Sequence, residues 1–121
     1  MSLSITTTSI DPLTGNITKQ DPYPENGKDL AGVESWRNKV YASNALISRG
    51  AVFLPKLLTE DLFIFGADLH SFSKELEQLI EDIPEISIEL DIDAEGLKFR
   101  FNNILTATQY AISKGKAVWI S

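Results

Sequence analysis

Between Ile86 and Phe101 the chain reads ISIELDIDAEGLKFRF, and apolar and polar residues alternate along it. Ile86, Ile88, Leu90 and Ile92 are separated by Ser87, Glu89 and Asp91, the period of two that marks a half-buried strand. If Asp93 to Gly96 form a four-residue turn, Ile92 faces Leu97, Leu90 faces Phe99 and Ile88 faces Phe101. The same register sets Asp91 against Lys98 and Glu89 against Arg100 on the other side. A slip of one residue would reverse every side chain, so the pairing is well specified. A hairpin over 86–101 is therefore expected, with its apolar face toward the core.

The acids of this stretch invite a second reading. Asp91, Asp93, Glu95 and Gly96 stand where a calcium loop places its first ligands and its turning glycine. Counted from Asp91, however, the twelfth position is Asn102 and the ninth is Phe99. A loop of that class needs a bidentate Glu at its twelfth position and a helix on each side. The calcium reading fails on its ligands, and the period of two predicts strands rather than helices on its flanks.

Residues 1–28 are rich in Thr, Ser, Asn and Pro, with Asp-Pro steps at 11–12 and 21–22. "DPLTG" is a turn signal between "SITTTSI" and "NIT". An extended polar arm or a loose hairpin is expected here, ending near Gly27, with one α+β domain over 29–121. Asp29 is placed to cap a helix from Leu30, whose stripe would be Leu30, Val33, Trp36, Val40 and Tyr41. A short helix follows Ser43 and ends at Gly50, and Pro55 suits the first turn of a short segment to Thr59. Leu62–Phe65 reads as a strand. Asp68 opens the strongest helix, carried by Leu69, Phe72, Leu76, Leu79, Ile80 and Ile83, and Pro84 stops it. After the hairpin, Asn102 or Asn103 caps a helix to Lys114 that Gly115 closes, and "KAVWI" is the last strand. The crossover from Phe101 to Ala117 through a helix predicts a right-handed βαβ unit with parallel strands. The expected class is α+β, with helices on one face of a small mixed sheet that contains the 86–101 hairpin and the C-terminal βαβ unit.

Charge limits the partners. The chain has 17 acids against 11 Lys and Arg, net -6, and no cysteine. Asp68–Glu95 holds ten acids and one base, whereas Gly96–Ser121 holds four bases and no acid. A polyanion would approach against the overall field, so nucleic acid is not expected as a partner. A basic protein would match it. No apolar run reaches the roughly 20 residues that span a bilayer, and the first residues lack a secretion signal's pattern. Cysteine-free composition fits a reducing compartment, so a soluble cytoplasmic protein without a membrane partner is expected. The N-terminal arm offers a route to homo-oligomers.

No residue pattern carries catalysis. His70 is the only histidine, and its neighbours Asp68, Ser71 and Ser73 point in other directions on a helix, so no triad forms. Glu77 and Glu81, or Glu89, Asp91 and Asp93, are paired carboxylates without a cleft or a reason for a raised pKa. "SKGKAV" lacks P-loop spacing. No catalytic, cofactor-binding or metal-ligating residue, and no cofactor, is expected. The residues singled out for an interaction surface or pocket are Trp36, Tyr41, Asn44, Arg100, Asn102 and Trp119. Large aromatics beside arginine are the composition of interface hot spots, and core packing is the competing role of the same aromatics.

"VESWRNKVYASNALISRGAVFLPKL" and "RFNNILTATQYAISKGKAVWIS" resemble segments of small bacterial α+β proteins, some of which accompany toxins as immunity proteins. The resemblance covers residues 33 to 121 and lies in layout, so no site residue follows from it. It implies a protein-binding role. The expected function is thus a non-catalytic interaction protein of immunity or inhibitor type. The competing reading is a small enzyme or ligand-binding domain with a pocket built from Tyr41, Asn44, Arg100 and Asn102.

Overall fold

The computed structural model of the chain describes residues 2–11, 13–14, 16–21 and 29–121. Over the described residues it is an α+β fold with four α-helices and a five-stranded antiparallel sheet. The strands are β1 (Ser2–Ile10), β2 (Ile17–Asp21), β3 (Leu30–Val33), β4 (Leu62–Ile64) and β5 (Ala117–Ile120). Their order is β2-β1-β5-β4, with β3 pairing the start of β1. The helices are α1 (Asn44–Ile47), α2 (Asp68–Glu81), α3 (Ile83–Leu90) and α4 (Ala94–Lys114). A π-helical turn spans Arg37–Tyr41 and a 3-10 turn spans Leu54–Leu58.

The first nine described residues form the middle of the sheet. β1 alternates Leu3, Ile5 and Thr7 toward the core with Ser4 and Thr6 on the other side. It pairs with β5 in the register Ile5 to Ile120, Thr6 to Trp119 and Thr7 to Val118. Leu3 and Ile5 are fully buried. The loose hairpin expected at the N-terminus is present as β1 and β2, turned at Asp11, whose carboxylate accepts from Leu13 N at 2.9 Å. It is not an arm outside the domain, because the core face of β1 is covered by helix. Its Thr-rich composition hid this: Thr7 and Thr8 are themselves fully buried. The end expected near Gly27 lies outside the described residues.

The 86–101 hairpin is not formed. α3 and α4 occupy that stretch, joined at Asp91, which is left-handed at φ 53°. The apolar residues also fit a helical period, and burial follows that period. Ile83 and Ile86 are buried in α3 while Ile88, which alternation would bury, is 82% exposed. In α4, Leu97, Phe101, Ile104, Ala107 and Ala111 recur at three and four residues and are all fully buried. Pro84 does not merely stop α2; it stands in the first turn of α3, where its missing N–H is no loss. Asp93 caps α4, accepting from Gly96 N at 2.9 Å, so the would-be calcium ligand is a helix cap.

With Phe101 inside α4, no strand precedes the crossover, and the βαβ unit disappears. β5 runs antiparallel to both β1 and β4. Asn103, expected as a cap, is buried mid-helix and donates to Leu30 O at 2.9 Å. Strand β4, the 3-10 turn at Pro55 and the C-terminal strand stand where the sequence placed them, and Gly115 ends α4 in the left-handed region at φ 65°.

α4 is the organising helix. It packs along α2 and against α3, and lies over β1, β3 and β5. The core between helices and sheet takes in Leu46, Leu54, Leu57, Phe72, Leu76, Leu79 and Ile86 with the inward residues of the sheet. Glu75 of α2 reaches across to the 3-10 turn, accepting from Val52 N at 2.6 Å, Phe53 N at 3.0 Å and Leu54 N at 3.0 Å. A carboxylate here meets the free N–H groups of that turn's start, which no local side chain caps.

Candidate functional site

The helix expected from Leu30 is instead β3 followed by the π-helical turn, and Gly32 is the reason. It sits at φ 121°, where a Cβ would lie 2.7 Å from Trp36 Cε3. The indole therefore rests on bare backbone. This fixes Trp36 at the surface edge of the core, half-buried.

From Trp36 a run of aromatic contacts leads inward. The indole meets the Tyr41 ring edge-on, centroids 6.0 Å apart. Tyr41 stacks on Phe101 of α4 at 5.9 Å. Tyr41 is fully buried and its hydroxyl donates to Ala31 O. Burial pushes its phenol well above the usual tyrosine range, and the positive charge of Arg100 opposes that shift.

Arg100, next to Phe101 on α4, lies over this run. Its guanidinium carbon is 5.6 Å from the Trp36 ring centroid and 5.3 Å from that of Phe99. Both are cation–π distances, worth about 0.5–2 kcal/mol each depending on exposure. Its Nε is enclosed and has no hydrogen-bond partner. No described residue forms an ion pair with it.

The other two arginines differ. Arg37 is bound by Glu34, by Asp61 at 2.7 Å, and by the carbonyls of Leu57 at 2.9 Å and Glu60 at 3.0 Å. Arg49 is bound by Glu89 at 2.5 Å, with Asp82 at 3.6 Å, and donates to Ala45 O at 2.7 Å. Acidic neighbours raise the pKa of both, led by Asp61 for Arg37 and by Glu89 for Arg49. They are structural clamps, tying loops to helices. Among the described residues, Arg100 is seated against aromatic rings and bound by no acid.

Of the six residues singled out from sequence, the structure brings together Trp36, Tyr41 and Arg100. Asn44 opens α1 and is exposed. Asn102 is two residues from Arg100 on α4, about 200° around the helix axis, so the two amides and the guanidinium do not converge. Trp119 lies on the far face of the sheet, between Thr6 on β1 and Phe63 on β4. The sequence reading missed Phe99, assigned there to a buried sheet face, which is 40% exposed and flanks Arg100. Its adjacency to Arg100 was visible; the helix that turns the pair outward was not.

Among the described residues no group of three His, Cys, Asp or Glu side chains is placed to hold a metal ion. No described helix is long and apolar enough to cross a membrane. Compared with protein-family models, with curated proteins and with solved structures, the chain gives no match, so the reading of the site rests on its geometry.

Proposed function

We propose that this protein is a non-catalytic binding protein whose recognition centre is Arg100 between Trp36 and Phe99. One observation carries the reading. In a chain of net charge -6, with 17 acids, the guanidinium of Arg100 has no acidic partner among the described residues and lies within cation–π distance of two rings. Ordering a long side chain is one of the costs of using an arginine in recognition, and contact with the two rings lowers it before a partner arrives. Arginine and tryptophan are also among the residue types enriched at interface hot spots.

The partner is a protein that presents a carboxylate to Arg100, a planar match that a guanidinium makes with two parallel hydrogen bonds. The net charge of -6 favours a partner of basic overall charge. An inhibitor- or immunity-type role takes this form.

The test is a capture experiment from a lysate of the source organism, run in parallel on the parent, Arg100→Ala, Phe99→Ala and Glu77→Ala. Phe99 is exposed and Arg100 half-buried, so a urea midpoint for each variant accompanies the capture and separates lost binding from lost fold. The expected result is a protein retained by the parent and by Glu77→Ala but lost with Arg100→Ala and Phe99→Ala. A truncation cost of about 2 kcal/mol is roughly 30-fold in Kd. Equal retention by all four, or retention of nothing by the parent, overturns the reading.

A further inference from the structure

An apolar track crosses the corner where α2, α3 and α4 meet. Ile80, Ile83, Pro84 and Ala94 line a groove of about 350 Å³ between the end of α2 and the first turns of α3 and α4. Ala94 also borders a second, more open groove of about 560 Å³, formed with Ile88 and Ile92. The two grooves therefore adjoin. Ile88 is 82% exposed, and no other large apolar side chain of a described helix is as open to solvent. A lone exposed isoleucine is ordinary on a surface, whereas one continuous with an apolar groove marks a contact region.

The rim of the track is acidic. Glu81 and Glu95 belong to the first groove and Asp91 and Asp93 to the second, against Lys98 as the one base in either described lining. Asp93 is engaged as the cap of α4. Glu81, Asp91 and Glu95 are exposed, and among the described residues none of the three joins an ion pair. Asp82 and Glu89 of the same region do, with Arg49. An occupant must therefore bring an aliphatic body and positive charge along its edges. A small molecule would fill one groove, whereas a helix reaches both.

We propose that this corner docks a basic amphipathic helix of a partner protein. Its aliphatic stripe lies on Ile80, Pro84 and Ile88, and its Lys or Arg side chains face Glu81, Asp91 and Glu95. Laying the apolar face of a helix into such a groove is a recurring mode of recognition, and opposite charges at the rim fix its register and speed its encounter. The inference shares no residue with the Arg100 reading and stands without it.

The experiment titrates the full chain with three end-capped peptides of 12 residues, about 18 Å long as helices. The first repeats Lys and Leu with helical spacing, the second has every Leu replaced by Ser, and the third has every Lys replaced by Glu. The Lys–Leu peptide is expected to give saturable backbone amide shifts at Ile83, Ile88, Ala94 and Lys98. It is expected to bind at least about tenfold tighter than either of the others, the effect of losing one anchor contact. Ile88→Ala, on an exposed side chain, is expected to weaken it about tenfold with an unchanged urea midpoint. Glu81→Gln is expected to weaken it about threefold, whereas Asp68→Asn, the same charge change at the opposite end of α2, leaves it unaltered. Absence of saturable shifts at these amides, or equal binding of the Lys–Ser peptide, overturns the proposal. So does an equal loss from Asp68→Asn and Glu81→Gln, which would reduce the effect to bulk charge. Shifts at the same amides on raising the protein concentration without peptide would assign the corner to a second copy and overturn it as well.

Discussion

Gly32 shows how a single missing Cβ sets up a surface site. Its φ of 121° and the 2.7 Å approach to Trp36 mean that alanine there strains the backbone and displaces the indole at once. Gly32→Ala is expected to destabilise the fold by about 2–4 kcal/mol, read as a lower urea midpoint. A change below about 0.5 kcal/mol would show that Trp36 is not seated on that backbone. Tyr41 gives a second test at the same scale. Its folded-state pKa is raised by burial, so the unfolded chain loses this proton first. The contribution to stability is whole below about pH 10 and is lost as pH rises above it. In the native protein at about pH 11, Tyr41→Phe should leave the tyrosinate absorbance unchanged. A smaller amplitude in the variant would mean that Tyr41 ionises while folded.

Elements were legible where one period excluded the other. α2, the turn at Pro55, β4 and β5 needed only local patterns, and the sequence placed each of them. The stretch from Ile86 to Phe101 satisfied two periods, because strict alternation and charge register matched a hairpin while Leu97, Phe101 and Ile104 matched a helix. Only packing against α2 and the sheet separates them, and that is not written locally. The distinction is measurable. Ile86→Ala is expected to cost about 2–4 kcal/mol, as a fully buried side chain does, and Ile88→Ala less than about 0.5 kcal/mol. Equal costs would restore the alternating strand. Glu75 belongs to the same lesson, since its three N–H partners lie 21 to 23 residues away and nothing near it in sequence marks it as a cap. Glu75→Gln is expected to lower stability by about 1–3 kcal/mol, measured by the same urea midpoint. No change would mean that the 3-10 turn stands without it.

For the molecule as a whole, β1 joins the chain's start to its end. It pairs with β5, β2 and β3, and α4 covers it. The polar composition of residues 1–28 read as an arm because threonine is as much a strand former as a polar residue, and composition alone does not separate the two. Of the site, its residue types were legible and its geometry was not: Trp36 and Arg100 are 64 positions apart, and only α4 crossing β3 brings them together. Among the described residues that meeting leaves one guanidinium of three outside the acid network, and the functional reading depends on it. The most direct measurement is the Kd of the captured partner for the parent and for Arg100→Lys, which keeps the charge but loses the planar, stacked fork. With equal urea midpoints for the two proteins, the account predicts binding at least about tenfold weaker in Arg100→Lys. Equal affinity would contradict it.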